Sequence, residues 1–232
     1  MRLAKPRLDI GFATNNAPAA LAFWQNRIGL PFDYTQPIRR GYKQHRHDLC
    51  GSVLKINQLY EPIPNNPPSG YRELLIAREG ILAPSTLSDP DGNRVALVPQ
   101  GYLGIERIGI RLGVRDVHEH RPFYTQALGL REVGPISDGA AFLAGDTVLL
   151  VEASADAPHD AAFEGKGWRY ITFQVFEVDQ EHANVIAHGG REALAPETLG
   201  SVRACRWSAI PMVTGSSCRS GPRLRDPWID HA

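Results

Sequence analysis

An internal repeat with a spacing of 100 residues constrains this chain of 232 residues more than any other feature of its sequence. Residues 8–30 and residues 108–130 each contain a short alternating apolar run, a polar break and a helical pattern that ends in Gly-Leu. The aromatic pair Phe23-Trp24 of the first copy corresponds to Phe123-Tyr124 of the second. A third, partial copy covers residues 168–190. We therefore expect a fold built from repeated units of one kind.

Each repeat carries the local signals of a strand followed by a short helix. In the first copy Asn15 or Asn16 can cap the helix, and Pro18 is tolerated in its first turn. In the second copy Asp116 is the cap, and a Gly-Leu pair ends the helix in both. The predicted unit is a strand, a helix and several further strands, used about three times. The further strands are predicted at residues 52–59, 71–77, 94–99 and 141–152.

The order of these parts resembles the vicinal oxygen chelate superfamily, which includes glyoxalases, bleomycin-resistance proteins and extradiol dioxygenases. The resemblance covers roughly residues 7–200 and includes a closing turn, DPDGN, at residues 89–93. It implies an α+β fold in which repeated βαβββ modules form curled mixed sheets around a half-barrel cleft. The expected organisation is a first module at 1–103, a second domain of two modules at 104–202 with an incomplete last strand, and an aberrant tail at 203–232.

The tail shows no hydrophobic periodicity and lacks the second closing turn that the resemblance implies. Codons allowed for residues 209–218 (AIPMVTGSSC) spell Asp-Pro-Asp-Gly-Asn-Trp-Ile-Glu-Leu when they are read one base out of frame. We interpret this as a single-base frameshift near residues 202–206. The last strand is then missing, so residues 203–232 should pack poorly and the neighbouring strand should be an exposed edge. A divergent, disordered tail is the alternative.

The resemblance also implies a metal site, because the superfamily holds a divalent metal with a His or Gln on the first strand of a module and a Glu on its last strand. Glycine, leucine and alanine cannot bind a metal, so most of these ligands are lost here. A remaining metal would be Fe, Mn, Zn or Ni, and its ligands are unknown. The corresponding positions are Asp9 and Ala96 in the first unit, Gly109 and Leu150 in the second, and Tyr170 in the third.

Asp9, Tyr170 and Glu152 are the candidates for catalysis. Asp9 stands on an otherwise apolar strand; pointing inward, it would be desolvated, with a raised pKa, and could act as a base. Tyr170 could donate a proton or a hydrogen bond to an oxyanion, although a role as an aromatic of the cleft wall is equally supported. Glu152 lies two residues beyond Leu150 and on the same strand face.

His45 and His47 are candidates for substrate binding. Their spacing allows both to point from one strand face, where they could also bind a metal with Asp9 or Asp48. A polar strand or loop surface is the alternative interpretation of this pair.

Composition limits the partners of the chain. Lys plus Arg and Asp plus Glu number 25 each, so no global field would attract nucleic acid or an anionic membrane. No apolar run reaches the length of a membrane span, and the N-terminus does not resemble a signal peptide. Cys50, Cys205 and Cys218 have neither disulfide nor zinc-site spacing. We expect a cytoplasmic protein.

Two function classes follow from the resemblance. The first is an enzyme acting on a small organic molecule, of the lyase, isomerase or ring-cleaving dioxygenase type. The second is a non-catalytic protein that sequesters an antibiotic or a metabolite, which the missing ligands favour. A third interpretation is a non-functional product of the frameshift. Because three units are an odd number for a fold that pairs modules, a homodimer is also expected.

Overall fold

The computed structural model of the chain describes residues 1–158, 161–199, 202–209 and 213–220. This part of the chain forms three short α-helices, and none of them is long and apolar enough to cross a membrane. The helices are α1 (Ala17–Ala22), α2 (Val117–Pro122) and α3 (Val178–Ala187); π-helical turns at Phe23–Arg27 and Phe123–Ala127 continue α1 and α2. The strands are β1 (Asp9–Thr14), β2 (Phe32–Arg39), β3 (Tyr42–Leu49), β4 (Ser52–Leu59), β5 (Tyr71–Arg78), β6 (Ser85–Ser88), β7 (Arg94–Pro99), β8 (Ile108–Val114), β9 (Arg131–Ile136), β10 (Gly139–Ala144), β11 (Thr147–Ala153), β12 (Trp168–Gln174), β13 (Arg191–Leu199), β14 (Val202–Ala209) and β15 (Val213–Ser220).

The two complete repeats form the local structure that their sequence predicts. The Asn16 side chain accepts a backbone N–H in the first turn of α1, and Asp116 accepts two in the first turn of α2. Gly29 and Gly129 have φ values of 77° and 62°, which is the left-handed conformation that ends a helix. Each helix is therefore limited at both ends by its own sequence.

The strands form two sheets: sheet one joins the distant segments 9–59 and 168–220, whereas sheet two is formed by the continuous segment 71–153. Sheet one has the order β13-β14-β15-β12-β1-β4-β3-β2, and sheet two has the order β6-β7-β5-β8-β11-β10-β9. In sheet one β1 pairs antiparallel with β12 and parallel with β4, while in sheet two β8 pairs antiparallel with β5 and parallel with β11. This confirms the predicted α+β fold of repeated modules in curled mixed sheets.

The described residues contain four strand units and not three. Residues 71–99 contribute β5, β6 and β7 to sheet two as a unit without a helix, whereas β1 to β4 belong to sheet one. The first unit pairs with the unit that begins at β12, in the same chain. The number of units is therefore even, and the reason to expect a homodimer no longer applies.

The expectation of a missing last strand with an exposed neighbour is wrong. Strand β15 pairs in parallel with β12, and β14 pairs with β15, so the edge of β12 is covered. Backbone hydrogen bonding in these strands does not require the apolar pattern on which the expectation relied. Residues 221–232 of the tail and residues 210–212 of the segment with the shifted motif lie outside the described residues. The frameshift stays a hypothesis.

A large hydrophobic core joins both sheets to the helices, and a smaller cluster that includes Leu75, Ala96 and Leu150 lies on the other face of sheet two. In the large core the ring centroids of Trp24 and Phe12 lie 6.1 Å apart, and those of Trp24 and Trp168 lie 5.8 Å apart. Trp24 Nε1 donates to Asp89 Oδ2 at 3.1 Å, and Asp89 Oδ1 accepts the backbone N–H of Asn93 at 2.8 Å, which anchors the DPDGN turn to the core. The sheet faces turned away from this core are called the cleft faces here. The cleft face of sheet one carries Asp9, Gly11, Gln44, Arg46, Lys55, Asn57, Tyr170 and Thr172.

Candidate functional site

Asp9 and Tyr170, two of the predicted site residues, lie close together on the cleft face of sheet one. Asp9 of β1 is opposite Thr172 of β12, and Gly11 is opposite Tyr170. A Cβ atom added to Gly11 would lie 2.4 Å from the Tyr170 hydroxyl oxygen. The tyrosine ring therefore packs directly on the backbone of β1, and glycine at this position makes room for it.

In the first unit, the position that corresponds to the metal ligand on the last strand is occupied by Lys55 and not by Ala96. Strand β4 pairs with β1 in sheet one as β11 pairs with β8 in sheet two. Lys55 is in register with Gly11, and Leu150 is in register with Arg111, so Lys55 and Leu150 occupy corresponding positions. Ala96 lies on β7 in sheet two, in register with Leu75. The assignment of Ala96 is wrong because the last strand of the first unit is β4, which precedes the DPDGN turn by about thirty residues of sequence.

Asp9 is fully buried, and both oxygens of its carboxylate are hydrogen bonded. Oδ1 accepts from Lys5 Nζ at 2.7 Å and from the Val53 backbone N–H at 3.0 Å. Oδ2 lies 3.2 Å from Lys55 Nζ and 3.2 Å from Gln174 Nε2. Burial alone would raise the pKa of Asp9, but the charges of Lys55 and Lys5 hold it well below its ordinary value. The expected raised pKa is wrong, and Asp9 is an ion-paired anion at neutral pH.

Lys55 places an ammonium group next to Asp9 and Tyr170, two of the positions at which the resemblance implies metal ligands. Its Nζ lies 2.9 Å from Thr172 Oγ1 and 5.9 Å from the centre of the Tyr170 ring, in addition to its contact with Asp9. A divalent metal needs several carboxylate, imidazole or thiolate ligands around an open centre. Across the described residues no group of three or more such side chains occurs. The residues present on sheet one therefore do not fit a divalent metal.

Tyr170 belongs to a polar network of neutral side chains next to Lys55. Asn57 Nδ2 donates to the Tyr170 hydroxyl at 2.9 Å, and Asn57 Oδ1 accepts from Gln44 Nε2 at 2.9 Å and from the Tyr42 hydroxyl at 3.0 Å. Burial and the neighbouring Tyr42 raise the pKa of Tyr170, so its hydroxyl is protonated at neutral pH. The Tyr170 oxygen accepts in this network, which leaves its proton for another acceptor.

Arg46 adds a second cation to the same face. It lies on β3 directly opposite Lys55 on β4, and it is 5% exposed. Its Nη1 donates to Gln44 Oε1 at 3.0 Å, and its Cζ lies 5.3 Å from the centre of the Tyr34 ring. Its Nε has no hydrogen-bond partner, and no carboxylate of the described residues forms an ion pair with it.

His45 and His47 point away from the cleft face, so the prediction that they bind substrate there, or a metal with Asp9, does not fit the structure. Both face the core side of β3, where His45 contacts Thr35 at 2.8 Å and Gln58 at 2.9 Å, and His47 contacts Gln25 at 3.0 Å. Burial and then His45 lower the pKa of His47 to about 4. The two histidines lie on one face of the strand, as their spacing predicts, but packing against the core places that face away from the cleft.

Glu152 lies on sheet two and therefore apart from Asp9 and Tyr170. It pairs with Arg111, which also lies 3.3 Å from Glu73 Oε2, and Arg94 lies 3.3 Å from Glu73 Oε1. Burial raises the pKa of Glu152, although Arg111 acts in the opposite direction. Beside this ion-pair network is a cavity of about 560 Å³, whose walls include Tyr71, Arg72, Asn93 and Trp168.

Comparison with known proteins agrees with this architecture. Residues 104–203 match the family model of the Glyoxalase/Bleomycin resistance protein/Dioxygenase superfamily. Glyoxalase I from Zea mays superposes with a TM-score of 0.75 at 14% identity, over 94% of this chain and 92% of that one. At this identity the likeness shows the fold alone.

Two shorter proteins align with about half of the chain. A family enzyme from Burkholderia phytofirmans covers 49% of this chain and 97% of its own, at 16% identity and a TM-score of 0.41. An antibiotic-binding protein from Streptomyces covers 49% of this chain and 93% of its own, at 16% identity and a TM-score of 0.38. A search of curated proteins by sequence found no match.

Three buried charged residues of the cleft faces were missed by the sequence analysis: Lys55, Arg46 and Glu73. Each is at most 6% exposed. The signal for Lys55 was its place between Leu54 and Ile56 in a strand of alternating apolar residues, since a charge within such a strand is either solvated or paired. Arg46 and Glu73 lie in more polar segments, and their burial follows only from the sheet pairing.

Proposed function

We propose that this chain binds a small organic molecule on a cleft face and does so without a divalent metal. The observation that carries the proposal is the Lys55 ammonium, bonded to Asp9 and Thr172 where a metal would need open coordination. A lysine cannot exchange ligands or polarise a substrate oxygen as a metal does. Binding by hydrogen bonds and charge, without metal-assisted chemistry, is the function that this arrangement supports best.

The dimensions and chemistry of the cleft faces support a small ligand. Small-molecule sites are commonly about 300–1,000 Å³ in volume and combine aromatic walls with a few polar groups. The cavity on sheet two has about this size, and the sheet-one face combines tyrosines with Lys55 and Arg46. A protein that only sequesters its ligand, which is the alternative to an enzyme, needs no catalytic groups in addition to these.

Metal analysis tests the proposal. The purified full chain is equilibrated separately with Fe(II), Mn(II), Zn(II) and Ni(II), desalted, and analysed by mass spectrometry of the elements. We expect far less than one metal per chain. In parallel, a library of small molecules is screened by thermal unfolding in the presence and absence of a chelator. A stoichiometric metal that is lost in Asp9→Asn, or a ligand response that disappears with the chelator, would refute metal-independent binding.

Metal-free lyase or isomerase chemistry is the second candidate, and Tyr170 is the observation that favours it. A buried tyrosine that stays protonated next to a lysine could donate a proton to a developing oxyanion. Ring cleavage with Fe(II) or Mn(II) is less well supported, because the donor set does not fit those ions. For any substrate that the screen identifies, Tyr170→Phe should abolish turnover and retain binding if the chain is an enzyme. Unchanged turnover would exclude this role of Tyr170. The cytoplasmic location and the homodimer stay predictions.

A further inference from the structure

We infer that Arg46 and Lys55 form an anion-binding subsite on the cleft face of sheet one, and that the small molecule bound there carries a carboxylate. This inference rests on the proposed function and names the chemical class of its ligand. It depends on the placement of two buried cations and on the hydrogen bond that one of them lacks.

The two cations are direct neighbours across the β3–β4 pair. Arg46 and Lys55 occupy opposite positions in the antiparallel register, where Cβ atoms are about 4.5–5.5 Å apart. Like charges in such positions destabilise a sheet, and both residues are at most 5% exposed, so water screens them poorly. Two adjacent buried cations cost little stability only where an anion compensates their positive charge.

Asp9 supplies only part of that compensation, because one carboxylate interacts with the charges of Lys5, Lys55 and Arg46 together. Its two oxygens are already bonded to Lys5 and Lys55, and no ion pair joins it to Arg46. Asp48, on the same strand as Arg46, accepts a backbone N–H in the exposed turn at Gly51 instead. Within the described part of the chain, the buried guanidinium of Arg46 therefore has no carboxylate in direct ion-pair contact, and the charge of Asp9 is shared among three cations.

The free edge of Arg46 suits a carboxylate. Nη1 is bonded to Gln44, whereas Nε is buried without a partner, so a hydrogen-bond donor remains to be satisfied. A guanidinium edge and a carboxylate form paired, charge-assisted hydrogen bonds. The Tyr170 hydroxyl, which accepts from Asn57, can donate its proton to the same anion.

Aromatic side chains next to these groups favour an apolar body on the ligand. The Tyr34 ring lies 5.3 Å from Arg46 Cζ, and the Phe163 and Tyr170 ring centroids are 5.3 Å apart. An organic carboxylate with a small ring or a short alkyl chain matches this combination of charge and aromatic surface.

Thermal unfolding of the full chain with benzoate, inorganic phosphate or chloride at matched ionic strength tests the inference. We expect benzoate to raise the Tm of the unaltered protein by about 3–10 °C at about 10–100 times its Kd, relative to chloride. In Arg46→Met, which keeps an apolar stem, benzoate should no longer raise the Tm. The Tm of this variant in chloride should equal or exceed that of the unaltered protein, because a desolvated charge without a direct ion-pair partner has been removed.

Arg121→Met is the matched control, since Arg121 lies on α2, outside both cleft faces, and its side chain is 45% exposed; it should keep the benzoate response. Arg46→Lys, which keeps the charge but loses the planar edge, should bind benzoate at least tenfold more weakly, and it serves if Arg46→Met does not fold. A benzoate response that survives in Arg46→Met or Arg46→Lys overturns the inference, as does its absence from the unaltered protein. A response to phosphate alone overturns the carboxylate assignment. None of these outcomes concerns metal content, so failure of the inference and failure of the proposed function are distinguishable.

Discussion

Lys55→Met should destabilise the protein, in contrast to the neutral or stabilising effect expected of Arg46→Met on the adjacent strand. The substitution removes the cation that lies 3.2 Å from Asp9 Oδ2 and 2.9 Å from Thr172 Oγ1. Removing one partner of a buried ion pair usually costs about 3–5 kcal/mol, because the other charge is left uncompensated. Asp9 would keep Lys5 at 2.7 Å, so we expect a loss nearer about 2–3 kcal/mol.

Chemical and thermal unfolding at pH 7 measure this loss, which corresponds to a decrease in Tm of about 4–12 °C for a chain of this length. A double-mutant cycle with Asp9→Asn isolates the interaction itself, and its coupling energy should be about 1–3 kcal/mol. If Lys55→Met is as stable as the unaltered protein and the coupling energy is close to zero, the assignment of Lys55 as the compensating cation is refuted.

The pH dependence of the same variants provides a second check. The pKa of Asp9 is lowered in the folded state, so the ion pair contributes its full stability above the unfolded value of about 3.9 and loses it as the pH falls below that value. The difference between Lys55→Met and the unaltered protein should therefore shrink below about pH 4. A difference that is constant from pH 7 to pH 3 would mean that Lys55 acts through packing and not through charge.

Two further substitutions test neighbouring parts of the structure. His47 has a folded pKa of about 4, below its unfolded value of about 6.5, so stability should be complete above pH 6.5 and fall by up to about 1.4 kcal/mol per pH unit towards pH 4. Urea unfolding across this range should show a smaller slope for His47→Gln, and an unchanged slope would contradict the assignment. Gly11→Ala should displace the Tyr170 ring and break its bond with Asn57, because the added Cβ would lie 2.4 Å from Tyr170. Its Tm should decrease by several degrees, and an unchanged Tm with unchanged tyrosine absorbance would contradict this packing.

The fold could be predicted wherever the repeat carried local signals. Asn16 and Asp116 mark the helix starts, and Gly29 and Gly129 mark their ends, so the strand–helix units were visible without any knowledge of tertiary contacts. The unit at residues 71–99 was missed as a separate module because it has no helix and therefore no helical periodicity. Local patterns also gave no indication that this unit pairs with the one that begins at β8, or that the first unit pairs with the distant one that begins at β12.

The candidate site could be predicted only in part, because its chemistry depends on which strands are neighbours. Asp9 was correctly selected as an unusual residue in an apolar strand, but the sign of its pKa shift depends on Lys55, which lies 46 residues away in sequence. For His45 and His47 the prediction that both point from one strand face was correct, but the prediction that this face lines the cleft was not. A strand pattern gives the period of two, while the choice of face follows from packing against the core.

In each sheet a buried carboxylate is paired with a cation of the adjacent strand. On sheet one Asp9 is paired with Lys55 from the adjacent strand, and on sheet two Glu73 is paired with Arg111 from the adjacent strand. A buried carboxylate without a compensating charge would cost several kcal/mol, about the amount that an adjacent cation can offset. Under the proposed metal-independent binding, Lys55 occupies the place beside Asp9 that a metal would need.

The frameshift hypothesis gives this argument its sharpest test. In the shifted frame a glutamate arises at the junction of Ser216 and Ser217, and these residues lie in register with Ile171 and Thr172, next to the group that Lys55 contacts. A frame-restored chain should therefore be more stable than the present one and still bind no stoichiometric metal, because the lysine would pair with the added carboxylate. Changing Lys55 to Gln in the restored chain would leave two carboxylates facing one centre, and only this version should take up Mn(II) or Zn(II). Elemental analysis of both restored chains decides the matter: metal in the version that retains the lysine would show that this residue does not replace the metal.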